Sequence, residues 1–346
     1  MPSRLALLFR NKLIIAAIGA VLVVIAFLVY WFAFRAEPEV ADLRGSIEAP
    51  YSHPLTGQGL SEAANFFPLA VMIDNADEAL FTFGLDMASI VFEAPVEGGR
   101  TRFMAIYDSQ QGIDRVGPVR SVRPYFIDWA EGYKGAAILH VGGSPQGLNQ
   151  LESASLINID QIGADEIFFY RDEQLDAPSN VFTSSSLWLK AAERKKIESM
   201  DQNSWNFDTL QRRDLEQQLT INFSPDNQAA WVYNSKMNNY LRFNNRERHL
   251  TPLGEQLSAA NVIVIDVEVR EIDGLGRLSL GTIGSGDAQV LTAGTYKPAT
   301  WIKNNEDSSL IFLDKETQQE LVLNRGATWI EAVDNLDKVD YFEVND

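Results

Sequence analysis

The 346-residue chain contains no cysteine. That absence excludes disulfides, thiol nucleophiles, iron–sulfur clusters and cysteine-based zinc sites together. It also excludes the lipobox cysteine that joins an exported protein to lipid. Histidine is nearly as scarce, with only His53, His140 and His249 present. No histidine cluster at transition-metal spacing exists, and neither a metal nor any other cofactor is called for. Positive charge is also short: 29 Lys and Arg stand against 47 Asp and Glu, a net −18. Beyond residue 35 the balance is 25 basic to 47 acidic residues, net −22. A surface so acidic repels nucleic acid and anionic lipid headgroups, which disfavours both as partners.

What is present begins with a run free of charge. Leu13 to Phe34 is long enough to span a bilayer as a helix and ends in Tyr30, Trp31 and Phe34, as an interfacial aromatic belt does. The run exceeds the apolar core of a cleavable signal peptide, and bulky Trp31-Phe32 stands where a small-residue cleavage site would be. An uncleaved anchor is therefore the expectation. Arg4, Arg10 and Lys12 precede the run, whereas Glu37, Glu39 and Asp42 follow it. The positive-inside rule places residues 1–12 in the cytoplasm and the rest outside, as a single-pass cell-membrane protein.

The remainder reads as three stretches. Residues 35–67 hold Pro38, Pro50 and Pro54 with little periodic hydrophobicity, the character of a spacer. In 68–210, apolar runs at 68–74, 89–94, 102–107 and 136–141 predict strands. Pro124–Tyr133, Pro145–Ser153 and Ser185–Lys196 predict helices, two of them opened by proline. Strands alternating with short helices predict an α/β domain. In 211–346 strands dominate, separated by turns such as Asp273-Gly274, and a mostly antiparallel β domain is expected.

Candidate site residues cluster where charge interrupts the strands of the first domain. Arg100, Arg102, Arg120 and Arg123 lie close together in an otherwise acidic domain, and guanidinium forks bind carboxylate or phosphate bidentately. The competing reading pairs them with Glu93, Glu97, Asp108 and Asp128 as structural ion pairs. Gly142, Gly143 and Ser144 form a strand-to-helix turn whose amides suit an anion, or else simply cap a helix. Pro145-Gln146 departs from the nucleophile elbow, which requires glycine after the serine's neighbour. Asp74, Glu93 and Glu97 are carboxylates available for acid–base work. Trp231, Tyr233, Tyr240, Trp301 and Trp329 form either a carbohydrate-binding face or β-domain core.

The stretches AVMIDN, VFEAPVEGGRTRFMA, GPVRSVRPYFIDWA and HVGGSPQ, with the later NVIVIDVEV and GTIGSGDAQVLTAGTYKPATWIK, strongly resemble the YerB-like lipoproteins of bacterial envelopes. The resemblance spans Pro68 to the end and implies two successive domains, export, membrane association and no settled activity. Two departures stand out. Relatives often carry a lipobox cysteine where this chain has an apolar span. The loop resembling a Pro-His-Asn motif reads Pro178-Ser179-Asn180 here, which weakens the case for catalysis. Arginines beside a strand-to-helix turn also give a looser similarity to LytR-type wall-glycan phosphotransferases, an analogy of organisation only.

Two functions follow as expectations. One is a membrane-anchored accessory protein that binds an anionic ligand or wall component at Arg120, Arg123 and the Gly142–Ser144 turn, with glycan or wall-synthesis proteins as partners. The other is a phosphoryl or glycosyl transferase or hydrolase using Asp74, Glu93 or Glu97 with those arginines.

Overall fold

The computed structural model describes residues 49–75 and 81–345. The expected span at Leu13–Phe34 lies outside the described residues, among which no helix is long and apolar enough to cross a membrane. The later part of the expected spacer proves to belong to the folded body. Leu55, Phe66 and Phe67 are buried, Tyr51–Ser52 pairs with Gly59–Leu60, and His53 stacks on Phe66. Three apolar side chains are enough to pull this Pro-rich stretch onto the core.

A ten-stranded sheet organises the molecule. From the first half of the chain come β1 (Pro68–Asp74), β2 (Ile90–Pro95), β3 (Thr101–Asp108), β4 (Ala137–His140) and β5 (Ile157–Asp160). A second sheet holds β6 (Leu215–Ser224), β7 (Asn227–Asn234), β8 (Asn239–Asn244), β9 (Glu247–Arg248) and β10 (Ser258–Ala259). The chain then returns to the large sheet with β11 (Asn261–Asp266), β12 (Gly284–Thr292), β13 (Thr295–Lys303), β14 (Ile311–Asp314) and β15 (Thr328–Val333), and closes on the second sheet with β16 (Val339–Asn345). The large sheet runs β14-β13-β12-β11-β15-β2-β3-β1-β4-β5.

Both faces of this sheet are covered, which is why its strands read as continuous apolar runs. Along β1, Leu69, Val71 and Ile73 enter one core while Ala70 and Met72 enter the other. The first core is closed by Trp188 of α3 (Ser185–Lys195) and by Leu219 and Trp231 of the second sheet. The second is closed by Tyr125, Phe126 and Trp129 of α1 (Pro124–Glu131) and Leu151 of α2 (Pro145–Leu151). Pro at the first helical position opens α1 and α2, as the sequence predicts.

Two expectations change. The architecture is mostly β, with three α-helices among the described residues. Its β1, β2 and β3 pair antiparallel through β3, while β1, β4 and β5 run parallel with α2 between β4 and β5, the part of the α/β reading that holds. The boundary near residue 210 divides the sequence but not the sheet: β15 pairs in parallel with β2, joining strands from both halves. Residues Ala49–Asp346 form one compact unit.

Candidate functional site

A cleft of about 850 Å³ opens at the end of β1. Its floor is set by residues 116–122, which thread past β1 in an extended course. Asp74 N–H donates to Pro118 O, Arg120 N–H to Met72 O, and Val119 N–H to Val181 O. Gly117 makes this course possible. Its φ is 140°, and a Cβ there would lie 2.8 Å from Val119 N and 2.9 Å from Phe182 Cδ1.

This threading brings charge together. Arg120 Nε lies 3.1 Å from Asp74 Oδ2, yet Nε is buried without an aligned hydrogen bond. The contact is thus electrostatic. The Ser179 hydroxyl donates to the same Asp74 oxygen at 2.8 Å, from a loop 105 residues away. Arg115 lies between two aromatic faces, its guanidinium carbon 3.9 Å from the Phe83 ring centre and 3.8 Å from that of Phe182. Its Nη2 donates to Asp172 Oδ2 at 2.7 Å. A backbone hydrogen bond from Gln174, helped by Arg115, holds the Asp172 carboxyl below the usual range. Arg100 also lines the cleft.

Of the expected residues, the structure therefore brings Asp74, Arg100 and Arg120 to one cavity. Arg123 takes the structural alternative: its Nε and Nη2 grip the two Glu97 oxygens at 2.8 and 2.9 Å. Burial tends to raise the Glu97 carboxyl, but the Arg123 hydrogen bonds and nearby positive charge outweigh it and hold the group low. Arg102 is buried beneath this pair and donates to Ser121 O. Desolvation, with Arg123 beside it, lowers its guanidinium to about 10.

The Gly142–Ser144 turn is occupied by its own packing. Gly142 N–H donates to Asp160 Oδ1, Ser144 N–H to Val122 O, and Ser144 Oγ accepts from Gly147 N–H as a helix cap. Beneath it, buried His140 contacts Gly142 O and Asn158 Oδ1, each at 2.8 Å. The turn and the Arg120 cleft do not form one concavity.

Glu93 is no acid–base candidate in this fold. It is fully buried and accepts from Arg242 Nη2 at 2.7 Å and from Thr101 and Asn75. Arg242 also donates to Glu331 at 3.0 Å, forming a buried bridge between the halves of the chain. Of the two readings of the β-domain aromatics, core is the one the structure shows: Trp231, Trp329, Tyr240, Tyr233 and Trp301 are all buried. Arg115 and Asp172 are not among the expected residues, and Ser179 is noted only as standing where the resembling motif carries histidine. Arg115 stands five residues before Arg120, Asp172 lies in a polar loop indistinguishable by composition from a solvated turn, and the Pro178-Ser179-Asn180 motif was the signal for the cleft's Ser179.

Residues 55–198 match the family model described as "Protein of unknown function (DUF3048) N-terminal domain", and residues 219–330 match its C-terminal counterpart. The chain belongs to the YerB-like family. It is 28% identical over 308 residues to the "Putative lipoprotein YerB" of Bacillus subtilis (strain 168), an alignment covering 86% of this chain and 89% of that protein. The crystal structure of YerB protein from Bacillus subtilis superposes with a TM-score of 0.77 at 27% identity, covering 84% of this chain and 99% of that one. The two matched family segments leave residues 199–218 between them.

Proposed function

We propose that this YerB-like protein is an extracytoplasmic envelope protein, anchored by Leu13–Phe34, that binds an anionic wall component in the Asp74–Arg120 cleft as an accessory factor. The observation carrying the reading is Arg120: no aligned hydrogen bond engages its buried Nε, although the side chain faces an 850 Å³ cavity. Arg115 adds a second guanidinium, oriented by its two aromatic neighbours. Arg–Asp contacts position both groups, and a guanidinium has five donors, so each keeps donors for a bidentate anion. The enzyme alternative is weaker, because Glu93 and Glu97 are committed to Arg242 and Arg123 outside the cleft, which leaves Asp74, held by Arg120 and Ser179, as its one carboxylate there.

The test titrates the full-length protein with phosphorylated sugars and muropeptides. Arg120→Lys preserves charge but loses the fork, and is expected to weaken binding about tenfold with an almost unchanged melting temperature. A large drop in melting temperature with unaltered binding would make Arg120 structural and remove the site. The anchor has its own test. A relative named a lipoprotein needs a cysteine for lipid attachment, and this chain has none. Deleting residues 1–35 should release the protein from the membrane fraction, and continued sedimentation with membranes would refute the anchor.

A further inference from the structure

The charged side chains lining the Asp74–Arg120 cleft are three arginines, Arg100, Arg115 and Arg120, and three aspartates, Asp74, Asp172 and Asp176. The lining is therefore neutral as a whole, within a strongly acidic body. Arg120 stands beside Asp74 and Arg115 donates to Asp172, so each of these guanidinium groups already has a carboxylate at one corner. Both side chains stay partly exposed. Among the described residues, no hydrogen bond engages either Nη of Arg120 or Nη1 of Arg115.

Asp176 is the carboxylate left over. It is exposed on the loop that forms one wall of the cleft, and among the described residues no cation or hydrogen-bond donor engages its side chain. A phosphate or a lone carboxylate would satisfy the free guanidinium donors, but it would share the cleft with three fixed charges of its own sign. A ligand carrying an ammonium group as well as a carboxylate meets both signs. The remaining lining fits what lies between two such ends. Phe81, 48% exposed, offers apolar surface with Leu175 and Pro178, and the Gln174 side-chain amide can both donate to and accept from a peptide group. A volume of about 850 Å³ holds far more than one anionic group and falls within the range of about 300–1,000 Å³ usual for small-ligand sites.

We infer that the ligand of this cleft is a short zwitterionic peptide, with its carboxylate on the free Nη groups of Arg120 and Arg115 and its ammonium group at Asp176. This peptide site rests on the anion-binding reading of the cleft and narrows its ligand to one class.

Isothermal titration calorimetry of the full-length protein in detergent, with alanyl-leucine, its N-acetyl derivative, its C-terminal amide and inorganic phosphate, tests both levels. Alanyl-leucine is expected to bind saturably. Each blocked peptide should bind about tenfold more weakly, having lost one charge-assisted contact. Phosphate should bind more weakly than the dipeptide. Asp176→Asn should erase the difference between alanyl-leucine and its N-acetyl form, with an unchanged melting temperature because the exposed carboxylate supports nothing in the fold. Equal affinity of the wild type for the free and N-acetylated peptides, tighter binding of phosphate, or a difference that survives in Asp176→Asn would overturn the assignment while leaving an anion cleft. Failure of all four probes to bind would remove the cleft as a site, and the peptide with it.

Discussion

Arg242 shows how a side chain that looks ordinary in sequence can hold a core together. Its Nε donates to His249 Nδ1 at 3.1 Å while its Nη groups serve Glu93 and Glu331, and Phe103, Trp231 and Trp329 surround its guanidinium. Burial, with the Arg242 charge adding to it, pulls the His249 imidazole down to about 3. In the unfolded chain histidine titrates near its ordinary 6.5. The unfolded state therefore takes up a proton that the native state refuses. Stability present above that pH is lost as pH falls, by up to about 1.4 kcal/mol per pH unit. Glu331 has the opposite sign. Burial first, and then Glu93, push its carboxyl well above 4.5, so its contribution is present at low pH and lost as pH rises. The difference between wild type and His249→Asn isolates the histidine. Between about pH 6 and pH 4 the wild type should lose stability more steeply in urea titrations, and parallel curves would refute the assignment.

At the scale of elements, β1 to β4 were legible because each is buried on two faces, whereas β5, short and half-exposed, was not. Leu69 to Ile73 admits no polar residue, and the charge that ends the run, Asp74, marks both the strand end and the cleft. The helices were legible through Pro124 and Pro145. Of the β12–β13 hairpin only β12 was legible as a strand, and its tightest contact was not. Gly286 stands opposite Trp301, whose indole N–H crosses the sheet to Asp266 O at 2.7 Å. A Cβ at Gly286 would come within 2.5 Å of that nitrogen and 2.7 Å of the Asp266 oxygen. Gly286→Ala is expected to lower stability by about 1–3 kcal/mol, as overpacking does. The neighbouring Ser285→Ala should be nearly neutral, and equal melting temperatures for both variants would show that the strand yields.

For the whole molecule, the pairing of β2 with β15 makes the two family segments one sheet. The exposed stretch 209–214 connects them without regular structure. A protease nick confined to that stretch should therefore leave two fragments that co-elute in gel filtration and separate only in denaturant. Spontaneous separation of folded halves would refute a shared core.

The sequence by itself determined the local facts of this protein: where strands and proline-opened helices lie, how acidic the body is, and that Asp74, Arg100 and Arg120 belong near a turn at a strand end. Those follow from periodicity, backbone restriction and charge within a few residues. Only the tertiary structure decided which charges face a cavity. Arg123 and Glu93 bear the same functional groups as Arg120 and Asp74, but Glu97 and Arg242 engage them, and Arg242 and Ser179 reach the sheet from more than a hundred residues away in sequence. Such choices depend on long-range packing of strands and loops, which composition and spacing do not encode.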